Sequence, residues 1–208
     1  MAIKPILFNT EMVRAILDGR KSCTRRLVKP EPQGYFEVSE EPLYIYDTDG
    51  NQGKITPPYQ PSDILYVRES YSELTFGYVY KADGENIDHL GNVIKWHPSI
   101  HMPKEAARIW LKVTDVRVER LQEMKPVDVI KEGAYPDCWD CLNTYGESGS
   151  QCCYGTEEQC SQCDEVMMEW EKLWNSTIKK SDIDRYGWGA NPWVWVIEFE
   201  RCEKPEGV

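Results

Sequence analysis

The sequence of 208 residues contains no run of about 18 apolar residues, so no segment of it is expected to cross a membrane as a helix. Its first residues, Met-Ala-Ile-Lys-Pro, lack the apolar core of a secretory signal peptide. The chain also has no internal repeat, and its length predicts a single domain over residues 1–208 that carries a large insertion. Together these absences predict a cytoplasmic protein with no membrane partner.

Basic residues are missing from one part of the chain. Between Gly133 and Glu171 there are nine Asp and Glu and no Lys or Arg, in a protein whose net charge is −11. Outside that stretch 26 acidic residues face 24 basic ones, a charge of −2. The main body is therefore nearly neutral, which favours a small ligand or a single nucleotide over a long polyanion.

Eight cysteines in a chain expected to be cytoplasmic favour metal ligands or free thiols over disulfides. Two Cys-x₂-Cys pairs are separated by 18 residues, which is a pattern typical of a four-thiolate zinc site. We predict a structural zinc ion in an insertion over residues 134–163, with these ligands: Cys138, Cys141, Cys160 and Cys163.

Alternatives to this zinc site remain open. Cys152 or Cys153 could replace a ligand, and an iron–sulfur cluster or unliganded thiols would also fit the pattern. A catalytic zinc is not expected, because four cysteines leave no open position for water. Cys23 and Cys202 are interpreted as ordinary small residues.

Short strands and a few helices alternate along the chain without βαβ regularity. Helices are predicted after Thr10, which would cap the first one, and over 126–132 and 164–176. Strands are predicted over 43–46, 63–69, 78–82, 109–118 with a bend at Thr114-Asp115, and 193–199. This order predicts an α+β fold, a small mixed or antiparallel barrel-like sheet with a few covering helices.

The stretch from Gly19 to Arg26 holds four cations in eight residues, between a helix and a strand. Ideal strand alternation would place Thr24 and Arg26 on one face and Lys21 on the other. A turn at Lys21-Ser22 is needed to bring Lys21 and Thr24 together. The simpler interpretation of this stretch is a solvated turn.

Gly19-x-Lys21-x-x-Thr24-x-Arg26 resembles the G-x-K-x-x-(E/T)-x-R signature of the ASCH family, small β-barrels of the PUA-like superfamily. Residues 62–69, 96–102, 113–121 and 186–199 resemble stretches of ASCH proteins from bacteriophages and prophages, although Ser62 stands where a Gly is usual. The resemblance covers most of the chain, leaves the cysteine segment as an insertion, and implies a PUA-like barrel.

One branch of the family hydrolyses N4-acetylcytidine with Lys, Thr and Glu. The resemblance implies that Lys21 and Thr24 are catalytic, and position makes Glu132 the third catalytic residue. Lys21 would take the Thr24 proton, the Thr24 oxygen would attack the amide carbonyl, and the carboxyl would protonate the leaving amine. A solvated helix end is the alternative interpretation of Glu132.

Further residues are candidate substrate contacts. Arg26 could stabilise a developing oxyanion, and Glu69 is a reserve carboxylate next to Arg68. Aromatic and imidazole side chains could stack on or contact a base, although core packing or plain exposure is the commoner role. The predicted substrate-binding residues are Arg25, Arg26, Glu69, Trp96 and His101.

Three functions compete at this stage. The first is a nucleoside- or base-recognising protein that acts as an amidohydrolase on N4-acylated cytidine. The second is a non-catalytic module that binds RNA or a modified base, with Lys21, Arg25 and Arg26 contacting phosphate or base edges. The third is a phage interaction protein that uses its acidic zinc segment as the binding surface.

Overall fold

The computed structural model describes residues 1–32, 36–40, 43–47, 53–84, 86–88, 90–134 and 161–207. The strands in this part of the chain are β1 Ile3–Leu7, β2 Cys23–Leu27, β3 Phe36–Glu40, β4 Leu43–Asp47, β5 Lys54–Ile55, β6 Ile64–Arg68, β7 Tyr71–Leu74, β8 Gly77–Tyr80, β9 Trp110–Arg120 and β10 Trp193–Cys202. The α-helices in the same part are α1 Thr10–Leu17, α2 Pro126–Lys131, α3 Ser161–Thr177 and α4 Ile183–Tyr186. None of the helices described is long and apolar enough to cross a bilayer.

A five-stranded sheet forms the centre of the molecule, in the order β1-β6-β9-β10-β2. β1 runs parallel to β6, and the other three pairings are antiparallel. Two small sheets, β3-β4-β5 and β7-β8, accompany it. The predicted mixed α+β class is confirmed. No ladder joins β1 to β2 among the described strands, so closure of the sheet into the predicted barrel is not shown.

The closing strand β10 separates two apolar clusters because its side chains alternate between the two faces of the sheet. Trp195, Ile197 and Phe199 pack into the central core, beneath β6 and α1 residues. Val194 and Val196 face the opposite way and pack in a second cluster with tryptophans of α3. This alternation places α3 against the sheet next to β2, where the site described below is found.

Two local features of the backbone bear on the sequence predictions. The bend at Thr114-Asp115 is confirmed as a bulge, because Asp115 pairs with Glu198 and Val113 with Phe199, which leaves Thr114 without a partner in the register. The prediction that Thr10 caps α1 is wrong. Asn9 is the N-cap, and its side chain accepts a hydrogen bond from the Met12 amide at 2.8 Å.

Candidate functional site

The loop between α1 and β2 positions Lys21. Gly19 has φ +76°, a left-handed conformation that ends α1, and the amides of Arg20 and Lys21 both donate to the Ala15 carbonyl, at 2.8 and 3.0 Å. β2 begins only at Cys23, so strand alternation does not apply to Lys21. The turn that the sequence required before β2 is therefore present.

Lys21 is buried, with 3% of its surface exposed. Its Nζ donates to the Cys23 carbonyl at 2.7 Å, the Glu132 carbonyl at 2.7 Å and the Glu132 Oε2 at 3.0 Å. Three acceptors match the three hydrogens of an ammonium group. Burial lowers the pKa of Lys21 below its ordinary value, and the Glu132 carboxylate partly opposes this shift.

Glu132 follows the last residue of α2 and is 2% exposed, so it is not a solvated helix end. Its carboxylate is shared, because Oε1 accepts from Arg25 Nη1 at 3.3 Å while Oε2 accepts from Lys21. Arg25 Nη2 also lies 3.5 Å from carboxylate oxygens of Glu119 and Asp128. Two buried cations thus depend on one buried carboxylate.

Gly133 allows this close approach between α2 and the Lys21 loop. Its φ is +74°, and a Cβ at this position would lie 2.6 Å from the Ala15 Cβ and 2.8 Å from the Lys21 Cβ. Any side chain would therefore combine backbone strain with a clash. A backbone hydrogen bond from the Ser22 amide to the Lys131 carbonyl, at 2.9 Å, holds the same two segments together.

Thr24 and Arg26 lie on the same face of β2, as predicted. Arg26 Nη1 donates to Thr24 Oγ1 at 2.8 Å, and the guanidinium lies over the Phe8 ring with 5.8 Å to its centroid. Thr24 is buried. Its hydroxyl oxygen therefore accepts from Arg26, whereas Lys21 Nζ is bonded to Cys23 and Glu132.

A cavity of about 620 Å³ lies between β2 and α3. Its polar wall includes Thr24, Arg25, Arg26 and Glu132, and its apolar wall consists of Met12, Leu27, Trp170, Leu173, Trp174, Ile178 and Trp195. Lys21 does not line the cavity, but it is bonded to Glu132, which does. This volume and this combination of an aromatic wall with a few polar groups are typical of small-molecule sites.

Three of the predicted substrate contacts lie away from this cavity. Glu69 is 1% exposed and receives a two-pronged contact from Arg108, Nε to Oε1 at 2.9 Å and Nη2 to Oε2 at 3.1 Å. Burial raises the pKa of Glu69, and Arg108 opposes the shift. Trp96 is half-buried and His101 is exposed, and neither contributes to the cavity wall.

The predicted zinc ligands Cys138, Cys141 and Cys160 lie outside the described residues, as do Cys152 and Cys153. Cys163 belongs to the first turn of α3. Within the described part of the chain, no group of three or more His, Cys, Asp or Glu is arranged to hold a metal ion. The structural zinc site therefore stays a prediction.

Cys23 and Cys202 are free thiols. Cys23 packs in the same apolar cluster as Val194 and Val196, and burial raises the pKa of its thiol to about 12. Cys202 is half-buried, and burial raises the pKa of its thiol as well. Both fit their interpretation as ordinary small residues.

The sequence predictions did not include the α3 side of the cavity. In the helix predicted over 164–176, Trp170, Leu173 and Trp174 have the spacing of an apolar stripe, and they pack in the second apolar cluster and also form the cavity wall. Tyr59 and Trp195 complete the aromatic lining. The stripe itself was the available signal, because it contained two tryptophans one turn apart.

Comparison of the sequence with protein-family profiles and with curated proteins gives no match. Among solved structures, the chain is similar to the ASCH domain from Lactobacillus crispatus JV V101. The identity is 9%, the TM-score is 0.38, and the alignment covers 96% of this chain and 79% of that one. Likeness at this level does not assign the site, which rests on the chain's own contacts.

Proposed function

We propose that this chain is an ASCH-type domain whose cavity recognises a nucleoside or a single base and deacylates N4-acylated cytidine. The observation that supports this is that Thr24 and Glu132 line the same cavity while Lys21 is bonded to Glu132 at 3.0 Å. A nucleophile, a carboxyl and a lysine with a lowered pKa are the groups that amide hydrolysis by this route requires. The aromatic wall offers surfaces on which a base stacks.

The proposed reaction begins with transfer of a proton from the Lys21 ammonium to Glu132, along the existing contact. The neutral amine then leaves the Cys23 carbonyl, turns to Thr24 and accepts the hydroxyl proton as Oγ1 attacks the amide carbonyl. Arg26, which already donates to Oγ1, faces the negative charge that develops on the carbonyl oxygen. The Glu132 carboxyl protonates the departing N4 amine, and water later hydrolyses the acyl–threonine ester.

The test is incubation of the purified protein with N4-acetylcytidine and chromatographic measurement of released cytidine. We expect release by the wild type and its loss in Lys21→Ala. Thr24→Val is the matched variant, because it removes only the hydroxyl, and it should slow release by a factor of 100 or more, since general acid–base and nucleophilic roles are worth roughly 10²–10⁴-fold. Absence of cytidine release in the wild type would rule out the deacylase.

A second candidate is a non-catalytic module that binds RNA or a modified base. It is favoured by the fact that all three Nζ hydrogens of Lys21 already have acceptors and that the Thr24 oxygen contacts Arg26 rather than Lys21. No turnover, together with salt-sensitive RNA binding that Arg26→Ala weakens, would favour this candidate, because Arg26 lines the cavity whereas Lys21 is buried behind it. If neither assay responds, the phage interaction protein with its acidic segment remains.

A further inference from the structure

Buried hydrogen-bond donors without a partner are concentrated at the cavity. In the part of the chain that the structure describes, three buried side-chain atoms lack a hydrogen-bond partner: Arg25 Nε, Arg25 Nη2 and Trp170 Nε1. Both residues line the cavity. Buried polar groups nearly always have hydrogen-bond partners, so three buried donors without a hydrogen bond in one place need an explanation. All three atoms are donors. Arg25 Nη2 lies within ion-pair distance of Glu119 and Asp128, so the acceptor is missing most clearly at Trp170 Nε1.

A neighbouring tryptophan provides an internal control. Trp170 and Trp174 are both on α3, with 4% and 6% of their surfaces exposed and 6.5 Å between their ring centroids. The Trp174 indole donates to the Tyr186 carbonyl at 2.9 Å, so its N–H serves the fold. The Trp170 indole has the same chemistry and similar burial, yet its N–H has no acceptor among the residues that the structure describes.

The charges around the cavity are partly paired. Lys21 and Arg25 contact the carboxylates of Glu132, Glu119 and Asp128. The cavity wall also carries the cations Arg26 and Lys29. The aromatic wall favours a flat ligand.

We propose that Trp170 is a specificity-determining residue whose indole N–H donates to a carbonyl oxygen or ring nitrogen of a planar heterocycle in the cavity. The inference rests on the proposed function only in taking this cavity as the ligand site. It does not depend on amide hydrolysis. According to this inference, α3 selects ligands by their acceptor atoms. Thr24 lies on the opposite side of the cavity, on β2.

The experiment uses two probes of similar size. 1-Methylpyrimidin-2-one is planar and has a carbonyl and a ring nitrogen as acceptors but no donor, whereas toluene has no acceptor. In the full chain with ¹⁵N-labelled indoles, we expect only the first probe to move the Trp170 Nε1–H proton signal downfield, which is the direction that a hydrogen bond produces. Trp170→Phe should weaken binding of the first probe by about 3- to 10-fold more than it weakens toluene binding, which is the value of one hydrogen bond.

Trp174→Phe is the matched control, because it removes an indole N–H that already has a partner. Both variants lose buried ring area, so both should lower the free energy of unfolding. Trp174→Phe should lower it further, because it also leaves the Tyr186 carbonyl without its donor. A loss of stability in Trp170→Phe equal to that in Trp174→Phe would overturn the inference.

Failure of the inference and failure of the deacylase are distinguishable. If the first probe does not bind, or binds Trp170→Phe as tightly as the wild type, the role of Trp170 is overturned, whether or not cytidine is released. If the probe shifts the indole signal and Trp170→Phe weakens it, the inference stands, even in a protein that never releases cytidine from N4-acetylcytidine.

Discussion

Glu132 and Glu69 are both buried carboxylates held by cations, but they differ in what surrounds them. Glu69 receives the fork of a single arginine, with both oxygens bonded, and lies away from the cavity. Glu132 is divided between Lys21 and Arg25 and lines the cavity, and Arg25 Nε has no hydrogen-bond partner among the described residues. Burial and charge alone would not separate the two residues.

The difference lies in how completely each cluster satisfies its own hydrogen bonds. In the Glu69–Arg108 pair both carboxylate oxygens are bonded to one arginine, and the pair lies away from the cavity. The Lys21–Glu132–Arg25 cluster lies beside an open volume, and among the described residues its Arg25 Nε has no acceptor, as expected of a binding site. Unsatisfied groups therefore locate the candidate site more sharply than the presence of ionisable residues does.

The largest expected effect comes from removing the shared carboxylate. Glu132→Ala leaves Lys21 and Arg25 buried with 0% and 1% of their side chains exposed. Lys21 loses its carboxylate partner, and Arg25, which cannot lose its proton, loses one of its three. We therefore expect a loss of about 3–5 kcal/mol in the free energy of unfolding, measured with urea. Glu132→Gln, which keeps the shape but not the charge, is the control for packing.

Disrupting the Glu69–Arg108 pair should lower the free energy of unfolding by a smaller amount. Arg108→Met removes the two-pronged contact to the Glu69 carboxylate, but Arg108 has 27% of its side chain exposed, so less buried surface is involved. Burial has already raised the pKa of Glu69, so the carboxylate can take up a proton and lose its unpaired charge. We expect a loss of about 1–3 kcal/mol in the same urea measurement. A cost equal to or above that of Glu132→Ala would contradict the distinction between the clusters.

The predicted zinc site offers a way to disturb one cluster without the other. We expect about one zinc ion per chain in protein purified without chelator, and none in a Cys138→Ser/Cys141→Ser double variant. Because α3 begins at Ser161 and contains Cys163, loss of zinc should increase amide exchange in α3 and leave β6, next to Glu69, unchanged. Less than about half an equivalent of zinc in the wild type would refute the site.

The smallest expected effect is a difference in pH dependence. The folded-state pKa of Lys21 is lowered from 10.5, so between that lowered value and 10.5 the unfolded chain binds the extra proton and stability rises with pH. The folded-state pKa of Glu69 is raised from 4.5, so stability falls as pH rises from 4.5 through the raised value.

Unfolding with urea across a pH series separates these two slopes, each at most about 1.4 kcal/mol per pH unit. Lys21→Met should abolish the rise at high pH, and Glu69→Gln should abolish the fall at low pH. An unchanged profile in either variant would show that the corresponding group does not titrate differently in the folded and unfolded chains.

Local patterns in the sequence predicted local structure well. Met12, Val13, Ile16 and Leu17 have the spacing of one apolar helix face, and α1 forms over these residues. Side chains alternate along the strand from Trp193 onward, and this alternation matches the two faces of β10. Pro126 and Gly133 bracketed α2. The cap of α1 was misplaced by one residue, because Asn9 and Thr10 are both good N-caps and only the backbone decides between them.

Contacts between distant segments were not predictable in the same way. The motif placed Lys21 and Thr24, but the bond between Lys21 and Glu132 spans 111 residues, and the wall of α3 lies still further along the chain. The helical spacing predicts that Trp170 faces the protein interior, but it does not identify the residues that Trp170 contacts. Glu69 was suggested by its position beside Arg68, whereas its partner Arg108 is separated from it by 39 residues.

Gly133 also marks the position in the chain at which the polar side of the cavity is complete. The Glu132 carbonyl and carboxylate are fixed to Lys21 before residue 134, so the geometry of the ion pair is complete before the acidic, cysteine-containing stretch begins. We expect that a segment of different length or composition can replace the residues beyond this point without moving the charged residues of the cavity. Such a replacement would change only the aromatic side of the cavity, which α3 provides. It would therefore alter which ligands are selected before it alters the ion pairs.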